Sequence, residues 1–165
     1  MPNHVHLVMV PSTEDGLRAT LGEVHRRYTR HINFREGWRG HLWQERFHSF
    51  LMDEEYLMAT VRYVERNPVV AKICGSPEHW KWSSARAHIK GEDDTLVRVS
   101  PMLDRVGNWR VYLSDSVNRN KEELIERHAR TGRPLGSPEF VRKLEILTGE
   151  ALAPKRPGRK PAIKK

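Results

Sequence analysis

Two histidines one residue apart, His4 and His6 in "MPNHVHLVMV", are the first side chains in this 165-residue sequence whose type and spacing suit metal chemistry. In an extended chain alternate residues face the same way, which puts His4, His6, Val8 and Val10 on one face and Val5, Leu7 and Met9 on the other. The two imidazoles then stand roughly 6.6 Å apart along the backbone, near enough to share one divalent ion. Pairs of this spacing also occur as packing or surface histidines, and the spacing leaves both readings open. No cysteine accompanies them at metal-ligand spacing, so a structural zinc site is not indicated. Tyr63 and Asn67 form a second constellation, at i and i+4 on one helix face. Asn67 can offer an amide oxygen to the same ion, and Tyr63 can present its phenol beside it. A tyrosine with an ordinary pKa near 10 becomes a nucleophile only when its oxyanion or its electrophile is stabilised. Equally, Tyr63 fits as a half-buried helix tyrosine and Asn67 as the residue that ends a helix before Pro68.

The elements that must carry these groups are legible in the hydrophobic pattern. Alternation predicts a strand over residues 3–10. Leu17, Leu21, Val24, Tyr28 and Ile32 recur at helical spacing, and "GWRGHLW" breaks that helix. Residues 43–52 alternate as a second strand, and Asp53 is placed to cap a helix over "EEYLMATVRYVERN" that Pro68 stops. "PEHWKWSS" reads as an aromatic-rich loop and "GEDDT" as a turn. Beyond Pro101 the pattern turns helical, with "NRNKEELIERHARTG" followed by "GSPEFVRKLEILTG", Ser137 as an N-cap and Gly149 as a stop. That pair suits either a packing hairpin or a helix-turn-helix.

The net charge of +8 is unevenly spread, since Lys155, Arg156, Arg159, Lys160, Lys164 and Lys165 supply six positives to an acid-free stretch at 151–165 and leave +2 on the rest. A basic Pro/Gly-containing tail of this kind is expected to be disordered, and it either touches phosphates or merely aids solubility. Arg26, Arg27 and Arg30 make one helix face basic and suit a nucleic-acid backbone. Trp80 and Trp82 suit either base stacking or packing, and Trp43 suits packing. A single cysteine rules out an internal disulfide, and no long apolar run or signal-peptide pattern is present, so the expectation is a cytoplasmic protein without a membrane partner.

The stretches "MPNHVHLV", "HLWQERF", "RYVERNPVVA" and "WSSA", in this order, resemble the REP-associated tyrosine transposases, a branch of the HUH single-tyrosine transposases. The resemblance runs from residue 1 to about residue 90, and "TGRPLGSPEFVRKLE" resembles the C-terminal extension many of those proteins carry. It implies an α+β fold, a ferredoxin-like HUH domain with an antiparallel sheet over residues 1–100, then a helical extension over 101–150 and the basic tail over 151–165. Family members have a strand and a helix ahead of the histidine strand, so the expected domain is N-terminally incomplete. The implied metal ligands are His4 and His6, with Asn67 as the third, and the implied cofactor is Mg2+ or Mn2+. The implied nucleophile is Tyr63, which would cleave and rejoin single-stranded or hairpin DNA at palindromes through a 5'-phosphotyrosine. Arg26, Arg27, Arg30, Trp80, Trp82 and the tail residues would hold the DNA, with the protein a monomer or a dimer. The competing expectation is a DNA-binding remnant of a transposase that no longer cleaves. A hydrolase using the histidines with Glu45 or Asp53 has no carboxylate at a recognisable ligand spacing.

Overall fold

The computed structural model describes Met1, residues 3–115 and residues 118–153. Lys155, Arg156, Arg159 and Lys160, expected to contact DNA, lie outside the described residues. The first long element is α1 (Gly16–Glu36), which carries the expected stripe and ends where Gly37 takes a left-handed conformation, φ 68°, its N–H returning to the Asn33 carbonyl. After it, residues 37–43 fold back along the helix. Asn33 Nδ2 donates to the Gly40 carbonyl at 3.0 Å, and Trp43 Nε1 donates to the His25 carbonyl at 3.3 Å.

Helix α2 (Glu54–Val70) begins as its sequence dictates. Asp53 accepts from the Tyr56 N–H at 3.1 Å, and Glu54 and Glu55 place negative charge against the positive helix end. The expected stop at Pro68 is corrected, because the helix continues to Val70. The proline forfeits one backbone bond, while the Ala71 and Ile73 N–H groups still reach the carbonyls of Asn67 and Pro68. A 3-10 turn at Pro77–His79 lies in the expected aromatic loop. Three short helices follow: α3 (Ala85–Lys90), α4 (Ser100–Leu103) and α5 (Trp109–Ser114). Two longer ones close the described chain, α6 (Arg119–Thr131) and α7 (Pro138–Thr148). The start of α7 is capped by Ser137 as expected, and its end is the left-handed Gly149.

The core forms where α2, α3 and α5 meet. Val61, Ala85, Trp109 and Leu113 are buried there, with Leu57, Met58, Ile89, Met102, Leu103 and Val106 packed around them. At its centre sits a carboxylate, Glu65, 1% exposed. Glu65 accepts from Ser84 Oγ at 2.5 Å and from Trp109 Nε1 at 2.7 Å, and His88 Nδ1 lies 2.7 Å from it. A buried carboxylate is tolerable only with this many partners. Helix α6 packs along α2, with Ile125 buried and Lys121 Nζ 2.7 Å from Glu55. The second oxygen of Asp53 accepts from the Ser137 N–H at 2.7 Å, tying the start of α2 to the start of α7. A Cβ on Gly136 would stand 2.7 Å from that oxygen, so this crossing requires glycine.

The expected α+β fold with a ferredoxin-like antiparallel sheet is overturned. Among the described residues helices dominate, and the single β-pairing is one parallel bridge between Met52 and Leu135. Alternation specifies a chain with two unlike faces, but a ladder also needs a neighbour about 4.8 Å away. Residues 3–10 and 43–52, both read as strands, lack one, apart from the Leu135 N–H bonded to the Leu51 carbonyl at 2.8 Å and the Asp53 N–H bonded to the Leu135 carbonyl. The apolar side chains of residues 3–10 stay largely in solvent, with Val10 96% and Val5 64% exposed, whereas those of 43–52 are partly buried apart from Leu51. No helix among the described residues is long and apolar enough to cross a membrane.

Candidate active site

The segment bearing the two histidines lies against the middle of α2. The rings of His4 and His6 are nearly perpendicular with centroids 4.9 Å apart, and the His6 ring meets the Tyr63 ring edge-on at 5.8 Å. Three of the four residues singled out for chemistry are therefore neighbours in space, and Asn67 stands one helical turn beyond Tyr63. Asn3 Oδ1 lies 2.8 Å from His4 Nδ1. With Nδ1–H donating to that oxygen the lone pair is on Nε2, the kind of hydrogen bond that orients ligating imidazoles. Burial pushes both imidazoles below their usual pKa. The terminal amine adds to this at His4, and at His6 the neighbouring His4 and the terminal amine outweigh the opposing charge of Glu126. Both rings thus favour the neutral form that a cation requires.

These residues suit a divalent cation as a donor set of two imidazoles and one amide oxygen. Among the described residues no three His, Cys, Asp or Glu side chains cluster in a way that would hold an ion. The two carboxylates weighed as alternatives are engaged elsewhere: Asp53 caps α2, and Glu45 lies 3.0 Å from His48 Nε2.

Tyr63 is half-buried, and its hydroxyl donates to Glu126 Oε1 of α6 at 3.3 Å, long for an O–H···O bond. Burial first, and then the negative charge of Glu126, hold its phenol above the usual tyrosine value, while the Asn67 amide works the other way. A phenol so placed is protonated at neutral pH and needs help to become a nucleophile. Glu126 is a residue the sequence pattern does not single out. It lies 63 positions from Tyr63, on a helix that the sequence presents only as one half of a hairpin.

The basic face sits on α1. Arg26 Nη2 and Arg27 Nε both lie 2.7 Å from Glu23 Oε1, which pulls the Glu23 carboxyl down to about 2, and both guanidinium groups remain exposed. Arg30 is exposed beside them, with no carboxylate partner among the described residues. Beside it runs an open groove of about 540 Å³ bordered by Arg26, Arg30, Asn33, His41 and a stacked His25–Trp43 pair, ring centroids 4.0 Å apart. Trp43 thus packs, as expected, but as the floor of this groove. Trp82 is 75% exposed with Lys81 Nζ 4.6 Å from its ring centroid, whereas Trp80 is partly buried. Phe34, 90% exposed, lies beside Arg26, Arg27 and Arg30 and is a further aromatic of this face that the pattern presents only as part of a helix end.

Residues 1–67 of the 165 match the family model described as "Transposase IS200 like", and this segment holds the histidine pair, Tyr63 and Asn67. The match supports a transposase role, and with it a role on DNA. Comparison with curated proteins and with solved structures finds no match.

Proposed function

We propose that this chain is a metal-dependent transesterase of single-stranded DNA, of the REP-associated tyrosine type, cleaving and rejoining strands beside palindromic hairpins. One observation carries the reading: within a segment similar to IS200-like transposases, two adjacent imidazoles lie together, one of them edge-on to a half-buried phenol that has an amide one turn along its helix. His4, His6 and Asn67 would hold Mg2+ or Mn2+, which when bound supplies positive charge to a phosphate. Tyr63 then attacks the scissile phosphorus. The bond from Tyr63 oxygen to phosphorus forms as the bond from phosphorus to the 3' oxygen breaks, leaving a 5'-phosphotyrosine and a free 3'-hydroxyl. The bond energy is retained in the phosphotyrosine, so a second 3'-hydroxyl rejoins the strand without ATP. Arg26, Arg27 and Arg30 supply phosphate contacts, Trp82 and Trp80 offer ring faces to unpaired bases, and the cations at 155, 156, 159 and 160 add non-specific charge.

A second reading, a DNA-binding protein that does not cleave, draws support from the absence of a sheet beneath the histidine segment among the described residues. Incubation of the chain with manganese and a hairpin oligonucleotide carrying a single-stranded flank separates the two. The transesterase yields a protein–DNA adduct that survives denaturant and is lost in Tyr63→Phe, which still binds the hairpin. Hairpin binding with no adduct from the unaltered chain establishes the second reading.

A further inference from the structure

Attack by a phenol on a phosphodiester releases a proton, and reversal of the attack takes one back. Asn67 has no basicity to offer, and the His6 ring meets the Tyr63 ring edge-on and makes no hydrogen bond to its hydroxyl. The hydroxyl instead donates to Glu126 Oε1, and Glu126 is exposed, so a proton it receives has a path to water. Its placement is built into the fold. The adjoining Ile125 is buried, α6 packs along α2, Lys121 pairs with Glu55, and Asn118 caps the start of α6. The 3.3 Å separation fits a catalytic hydrogen bond without substrate, since such bonds tighten when the substrate arrives.

We propose that Glu126, contributed by a helix outside the segment that matches the transposase model, is the general base and acid for Tyr63. Resting on the transesterase reading, the step balances as follows. The phenolic proton passes to the Glu126 carboxylate as the Tyr63 oxygen bonds to phosphorus, and the departing 3' oxygen takes a proton from water. In rejoining, an incoming 3'-hydroxyl gives its proton to water, and protonated Glu126 returns its own to the Tyr63 oxygen as that oxygen leaves phosphorus. Helix α6 is thereby part of the reaction centre, beyond any part it plays in binding DNA.

The test measures the rate of covalent adduct formation by the full chain with manganese and a hairpin oligonucleotide, alongside hairpin affinity and Tm. Glu126→Gln keeps the size and an oxygen to accept from Tyr63 but removes the basicity. It is expected to slow adduct formation about 100-fold or more, with hairpin affinity, Tm and the manganese concentration for half-maximal rate unchanged. Glu126→Asp is expected to recover part of the rate. A Glu126→Gln protein that reacts as fast as the unaltered chain, or faster, overturns the proposal. So does a loss that excess manganese restores, which makes Glu126 a metal ligand. No adduct from the unaltered chain, or an adduct that persists in Tyr63→Phe, overturns the transesterase reading as well and is thereby distinguished from a failure of the base alone.

Discussion

An imidazole binds a cation only through an unprotonated nitrogen, and burial biases both His4 and His6 towards that form. The sign of the linkage follows. With folded-state pKa values below 6.5, the unfolded chain binds more protons between those values and 6.5, so stability from these groups is present above pH 6.5 and falls away as the pH drops through the folded midpoints. NMR titration is expected to give midpoints below 6.5 for both rings, and manganese at pH 6.5 to raise the Tm of the unaltered chain but not of a His4→Ala, His6→Ala double variant. Midpoints at or above 6.5 would contradict the lowered pKa of the two rings, and an unchanged Tm shift in the double variant would place the metal elsewhere. These groups were legible in the sequence because each pair is local, two residues apart on an extended segment and four apart on a helix. Glu126 was not, because its partner lies 63 positions away and only the packing of α6 on α2 brings them together.

Among the elements, α2 carries most of the consequence, presenting Tyr63 on one face and burying Glu65 on another. Replacing Glu65 by Ala removes the acceptor for Ser84 and Trp109 and the partner of His88, all inside the core. The expected cost is about 3–5 kcal/mol in urea unfolding, since three polar groups of the core lose their partner at about 1–3 kcal/mol each. A cost under about 1 kcal/mol would mean that water reaches the cluster. Helix boundaries set by nearby groups were readable, as at Asp53, Ser137 and Gly149. The end at Pro68 was misread because a proline removes one backbone bond without cancelling those of the residues after it, and the Ala71 and Ile73 N–H groups still bond to the Asn67 and Pro68 carbonyls. The sheet was misread for a deeper reason. Alternation in residues 3–10 and 43–52 describes each segment alone, whereas a strand exists only with a partner. Glu65 in "RYVERN" likewise looks like an ordinary solvated glutamate until α3 and α5 close over it.

Over the whole molecule, charge and packing divide the chain differently. Packing crosses the expected boundary at residue 100, with Trp109 and Leu113 of α5 completing the core around Val61 and α6 delivering Glu126. Charge is concentrated in α1 and in residues 151–165, where six cations face no acid. Removing residues 151–165 is expected to weaken binding to every hairpin alike and to lower the slope of log affinity against log salt by up to about 4 for single strands. A change in which hairpin is preferred would show that the tail reads sequence.

The identity of the nucleophile is the central claim, and peptide mapping of the covalent adduct by mass spectrometry tests it most directly. The account predicts that the phosphodiester maps to Tyr63, the one tyrosine that combines contact with the His6 ring and an asparagine one helical turn later. Linkage to Tyr56, seven residues earlier on the same helix, or to any other side chain would contradict it.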